Sequence, residues 1–312
     1  MAPALKSQYA LWAGLFAGIL FLVVMSVGTG SAEAQGSHSF DPLQLSPGKK
    51  ADFLLLSKQY EKAREMFQSL WQQDPDDTYA VRGIVRSHHA LKQLETAKKF
   101  FEEYRVQFPD SSPALYGSGY VAYMQEDYPM AKEQLMQAVV VDPQNALAWN
   151  TLAAVQMELK SVAEALNSVK RAIQILPSEL MFYRNLNRIY KDSGDPDQFL
   201  KEYDELRERG GNTPQLHGYG RILAQNLRQQ SFKLYVQGNI DRVIDKNLDM
   251  VKVYREINYV PGEVAGLFSL AVLYEEKGDR NKAREYFKEV LKINPQHIQA
   301  RRKMKALEKS SE

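Results

Sequence analysis

Five histidines, His38, His88, His89, His217 and His297, are the side chains best suited to hold a metal or move a proton near neutral pH. A zinc site of the helical HExxH kind needs two of them four residues apart beside an acidic residue, and no pair has that spacing. His88 falls on a packing position and His89 on the opposite side of the same predicted helix. The paired carboxylates Asp76-Asp77, Glu102-Glu103 and Glu275-Glu276 stand at helix ends or on polar faces. They lack the buried surroundings that split two pKa values for acid–base work. Ser118, in Gly117-Ser118-Gly119, sits inside a helical pattern and lacks the Gly-x-Ser-x-Gly form of a nucleophile elbow. Gly210-Gly211 follows no strand, so it reads as a helix joint and not as a phosphate-binding loop. Cysteine is absent, which removes thiolate ligands, a thiol nucleophile and disulfides. The expectation is a protein with no catalytic centre, no metal and no cofactor.

The elements that carry these residues are helical throughout, and no strand pattern appears. Of 312 residues, 44% are hydrophobic, enough for a folded core. Forty Lys and Arg against 38 Asp and Glu leave a formal charge of +2, which excludes a strong general field for nucleic acid.

Residues 1–34 read as a secretory signal. Lys6 marks a positive start, an apolar run follows from Leu11 to Val27, and the small residues end in Ala32-Glu33-Ala34, which places cleavage before Gln35. The alternative is an uncleaved anchor, because the uncharged stretch from Tyr9 to Gly28 is long enough for the roughly 30 Å hydrocarbon core. Both readings put the rest of the chain outside the inner membrane, periplasmic, secreted or anchored. Residues 35–47 are rich in Gly, Ser and Pro and read as a flexible linker.

The decisive pattern is a period of 34. Ala63, Ala97, Ala131 and Ala165 fall one period apart, and so do Pro75, Pro109, Pro143 and Pro177. Four residues after each Ala comes an apolar side chain, Phe67, Phe101, Leu135 or Val169, on the next turn of the same face. Each Pro ends a helix. In residues 146–179, Trp149, Leu152 and Ala153 share one face, the small Ala153 admitting a neighbouring helix while Trp149 fills the gap between repeats.

These residues resemble the tetratricopeptide repeat, whose unit is about 34 residues. In residues 264–297, Leu267, Leu270, Ala271, Tyr274, Gly278, Ala283, Phe287 and Pro295 all stand where that pattern wants them. The resemblance implies an all-α fold, a right-handed α-solenoid of about seven helix-turn-helix units with a C-terminal capping helix, Ile298 to Lys309. Residues 48–213 then hold five units, and 214–309 a longer helical unit, the final repeat and the cap. The fifth unit is degenerate, with Phe199 at the small position and Gly210-Gly211 at the closing proline. Thr213 to Gly238 reads as one lengthened helix and Ile240 to Asn258 as its partner, similar to the longer repeats of kinesin-light-chain-like arrays.

The resemblance also implies a groove lined by positions 2, 5, 9 and 12 of each first helix. Those positions carry Tyr79, Arg82, Arg86 and His89, then Tyr116, Tyr120 and Tyr123. They continue with Asn150 and Met157, then Arg184, Arg188 and Lys191. Tyr and Arg often dominate interface energy because they bury large areas and still hydrogen-bond. The implied function is an exported scaffold or adaptor that binds protein or peptide partners, not nucleic acid, in a cell-envelope assembly. A carrier or chaperone for extended clients is the alternative, and a hydrolase the weakest reading. Membrane contact is expected only through an uncleaved N-terminal segment.

Overall fold

A computed structural model describes residues 45–309. They form fifteen helices and, among the described residues, no strand. The helices make two compact units that divide between Tyr259 and Val260. The expected signal, anchor and most of the expected linker lie outside the described residues.

The larger unit is an α-solenoid of six helix pairs. Its helices are α1 Pro47–Leu56, α2 Tyr60–Gln73, α3 Thr78–Ala90, α4 Leu94–Gln107, α5 Ser112–Met124 and α6 Tyr128–Val141. They continue as α7 Ala146–Glu158, α8 Val162–Ile175, α9 Leu180–Asp192, α10 Gln198–Glu208, α11 Pro214–Val236 and α12 Ile240–Glu256. The second unit holds α13 Val260–Glu276, α14 Arg280–Ile293 and α15 Ile298–Lys309.

The four periodic alanines have no exposed surface, and neither do Phe67, Phe101, Leu135 and Val169. They form the seam on which each second helix packs. Helix starts are set by side-chain oxygens that accept otherwise unpaired backbone N–H groups: Asp77 accepts from Ala80 at 2.9 Å and Asn145 from Ala148 at 3.0 Å. Trp71 and Trp149 each donate an indole N–H to a closing proline carbonyl, Pro75 at 2.9 Å and Pro143 at 3.0 Å. Burying these rings thus leaves no polar atom unpaired.

The turn within each pair carries a second period. Lys58, Lys92, Glu126 and Lys160 take φ values of 61°, 59°, 64° and 61°, and Gly194 takes the next place at 86°. This left-handed residue closes a Schellman turn: the Gln93 N–H reaches back to the His88 carbonyl at 2.8 Å. Glycine adopts it freely and Lys or Glu do so at a cost, so tertiary packing has overridden local preference at four turns.

Between repeats the backbone comes close. A Cβ on Gly83 would lie 2.4 Å from the Phe67 ring, and one on Gly117 would lie 2.5 Å from the Phe101 ring. The fifth pair departs from the others. Phe199 fills the place of the small residue, α10 has 11 residues where α8 has 14, and the Phe199 ring packs 4.7 Å from Tyr219 of α11. The next first helix, α11, runs for 23 residues.

In the second unit Ala283 and Phe287 are fully buried, as Ala165 and Val169 are in the larger one. Helix α15 inserts Ala300 and Leu307 and ties Lys303 to Glu275 at 2.8 Å. Its exposed Arg301, Arg302 and Lys305 give the polar outer face that ends a repeat stack.

Candidate functional site

Four first helices, α3, α5, α7 and α9, face one recess in the larger unit. It has a volume of about 280 Å³ and is lined by Arg82, Tyr120, Tyr123, Asn150, Arg184 and Arg188. Thr151, Ala154, Met181 and Asn185 complete the wall. The helical period explains the gathering. Residues three and four apart share a face, so each first helix presents one short stripe to the same side.

Half of the expected groove residues meet here, and the other six do not. The Tyr79 hydroxyl donates to Asp52 of α1 at 2.7 Å, and Arg86 pairs with the same carboxylate at 3.7 Å. Both are therefore engaged within the chain. Burial first, and then Asp52, pushes the Tyr79 phenol well above its ordinary value. Tyr116 is fully buried beneath Tyr120 and presents no surface to a partner. Its position points inward because the α5 face is covered by the neighbouring helices. Met157 packs against the core, His89 is exposed away from the recess, and Lys191 lies outside its wall.

Tyr116, Tyr120 and Tyr123 form a ladder, with ring centroids 5.7 Å and 6.3 Å apart and both pairs inclined by 15°. Burial pushes the phenols of Tyr116 and Tyr120 up, so both stay protonated at neutral pH. The Tyr116 hydroxyl has no well-formed hydrogen bond, although Thr151 lies near enough to influence it. Arg82 stands near enough to Tyr120 to act on its phenol, and both line the recess, which sets the ladder beside the cationic wall.

The cations are held by neutral groups. Arg184 donates through Nε to Gln225 Oε1 at 3.4 Å, and Arg188 through Nη2 to Asn185 Oδ1 at 3.2 Å. Asn185 in turn donates to both the carbonyl and the side-chain oxygen of Asn150 at 3.2 Å. Lys191 donates to Asn226 Oδ1 at 3.2 Å. Sequence reasoning missed Asn185 and Thr151, which each stand one place after an expected groove position. It also missed Gln225 and Asn226, which come from α11 beyond the point where the 34-residue period breaks. His88, by contrast, is 3% exposed, and burial followed by Arg64 lowers its pKa, which keeps it a neutral packing residue. No cluster of His, Asp and Glu that could hold a metal occurs among the described residues. No helix among them is long and apolar enough to cross a membrane.

Stacked helix pairs with a recess on their first helices define a helical-repeat protein of the binding kind. Tetratricopeptide-repeat models match residues 54–119, 114–179 and 264–297. The chain belongs to the tetratricopeptide repeat family, whose members mediate protein–protein interaction. It is 23% identical over 273 residues to the human Protein O-mannosyl-transferase TMTC3, covering 81% of this chain and 28% of that protein. It is 26% identical over 171 residues to Hsp70-Hsp90 organizing protein 1 of Glycine max, covering 54% of this chain and 28% of that one. The chain thus spans little more than a quarter of the length of these curated relatives. Among solved structures, MamA is similar at 18% identity over 48% of this chain and 88% of its own, with a TM-score of 0.36.

Proposed function

We propose that the chain is a non-catalytic adaptor that holds an extended segment of a partner protein across α3, α5, α7 and α9. The observation that carries this reading is the recess itself, where tyrosine faces, amides and guanidinium groups from four helices stand together. Such a surface combines large apolar contact with hydrogen-bond donors, as interface hot spots do. The organizing protein from Glycine max is by its name an organiser of two other proteins, and an adaptor role here is of the same kind.

The test uses partners captured by crosslinking and pull-down with the full chain. Tyr123→Ala and Arg184→Ala should each weaken the captured partner by about 1 to 2 kcal/mol. Tyr123 is chosen because it is only half-buried, whereas Tyr120 is 8% exposed and supports the core. Salt should separate the two variants. Charges are screened over roughly 8 to 10 Å at ordinary ionic strength, so the salt sensitivity of affinity should fall in the Arg184 variant and persist in the Tyr123 one. Unchanged affinity in both variants would move the binding surface elsewhere.

The same reading places the adaptor outside the cytoplasm, in an envelope assembly. Its support is the order of positive start, apolar run and Ala32-Glu33-Ala34 in the first 34 residues. The native protein should begin at Gln35. A native chain that starts before Leu11 and resists alkaline extraction from membranes would establish the anchored form, and one recovered whole from the cytosol would remove export.

A further inference from the structure

We infer that the recess is built for a compact doubly charged anion, the phosphoryl group of a phosphorylated side chain in the partner segment. This rests on the groove reading above and adds the chemistry of what the groove holds.

The first observation is a local absence of counter-charge. Elsewhere in the larger unit several cations meet carboxylates, Arg86 with Asp52, Lys132 with Glu164, Lys170 with Glu202 and Arg207 with Glu256, while Arg64 and Arg105 stand singly against the glutamine oxygens of Gln93 and Gln134. Among the described residues, Arg82, Arg184, Arg188 and Lys191 form no such pair. The carboxylate that acts on Arg82 is Glu179, and one of its oxygens already accepts the Met181 N–H at 3.0 Å as the cap of α9.

The second observation is how these cations are oriented. Gln225, Asn185 and Asn226 supply amide oxygens, which satisfy one donor and fix direction without cancelling charge. A carboxylate in any of these places would have used up the charge that an anionic partner needs. The amides leave it available, and Asn150 anchors the amide that steers Arg188.

Three guanidinium groups around about 280 Å³ repel one another in a partly desolvated site. A single carboxylate can engage one of them bidentately and leaves the others uncompensated. A phosphoryl group brings close to two charges and three acceptor oxygens in one small volume, and the planar fork of arginine matches it. Two separate acidic side chains would bring the same charge only by converging on one recess, with two desolvation costs. The tyrosine ladder beside the arginines then accepts the neighbouring residue of the segment.

The experiment compares immobilised degenerate nonapeptide libraries with serine, glutamate or phosphoserine at the central position, probed with the full chain. Retention on the phosphoserine library should appear at roughly tenfold lower protein concentration than on the glutamate library, with serine weaker still. Free inorganic phosphate should compete. The double variant R184Q/R188Q should lose the phosphoserine preference. The double variant K201Q/K233Q, an equal loss of two charges on exposed residues outside the wall, should keep it. Equal retention on glutamate and phosphoserine would overturn the phosphoryl assignment. Equal retention on all three would overturn the anion pocket but leave a peptide groove. Retention on none of them, together with a captured partner unaffected by Tyr123→Ala, would overturn the groove itself.

Discussion

Glu202→Gln should lower stability at pH 7 by about 2 to 3 kcal/mol and flatten the acid limb of the stability profile. Glu202 sits on α10, the irregular second helix of the fifth pair, and three neighbouring helices converge on its carboxylate. Lys170 of α8 donates to Oε1 at 2.6 Å, Tyr190 of α9 to the same oxygen at 2.6 Å, and Tyr219 of α11 to Oε2 at 2.5 Å. Burial alone would raise this carboxyl, but the hydrogen bonds from Lys170, Tyr190 and Tyr219 outweigh it and hold the group below its ordinary value of 4.5. Burial, followed by the same carboxylate, pushes Tyr190 up to about 12, so the phenol remains a donor through the physiological range.

A folded-state pKa below the unfolded one means that the unfolded chain binds the proton more tightly. The stabilisation is therefore complete above about pH 5 to 6, and it is lost as pH falls through 4.5 toward the folded-state value. In Glu202→Gln this contribution is gone at every pH, so wild type and variant should converge as the buffer becomes acidic. Urea unfolding followed by circular dichroism at pH 7 and pH 4 reads the difference. Parallel curves with the same separation at both values would show that the carboxylate charge does not hold the four helices together.

The second large effect is expected at Gly218 of α11. A Cβ there would stand 2.2 Å from Cε2 and Cζ of Tyr183, closer than any real contact. The ring cannot move aside easily, because it is fully buried, its hydroxyl donates to the Pro177 carbonyl at 2.8 Å, and Tyr219 packs at 5.2 Å. Overpacking of this kind costs about 1 to 3 kcal/mol or more, while replacing glycine inside a helix returns about 1 kcal/mol of propensity. A contact of 2.2 Å against a held ring belongs at the upper end of that range, so Gly218→Ala should destabilise by about 2 kcal/mol net, and Gly218→Val by more. Gly48 is the internal comparison: it is also helical, but nothing lies within 4 Å of its added Cβ. Gly48→Ala should leave stability unchanged or raise it by about 0.5 kcal/mol. Equal shifts in the two variants would mean that the close approach of α9 and α11 does not govern the cost.

What the sequence determined by itself is the repeat. A spacing of 34 in Ala63, Ala97, Ala131 and Ala165 is legible because a helix face repeats locally, and a residue that must be small in one unit must be small in the next. The same register puts Arg82, Tyr120, Tyr123, Asn150, Arg184 and Arg188 on first helices and on one side of them, and the recess is where those stripes meet. The turn residues Lys58, Lys92, Glu126 and Lys160 obey the same period, but nothing in their chemistry announces a left-handed backbone.

Only the tertiary structure decided which of these side chains keep their charge free. Asp52 takes Tyr79 and Arg86 from another helix, and Tyr116 is covered by the helices around it. Gln225 and Asn226 reach Arg184 and Lys191 from a helix that has left the repeat phase. Glu202 likewise joins side chains from positions 170, 190 and 219, which no single period relates. Periodicity records the backbone's own geometry, whereas electrostatic partnership depends on which side chains meet across packed helices, and one irregular joint at Phe199 and Gly210-Gly211 is enough to change those meetings.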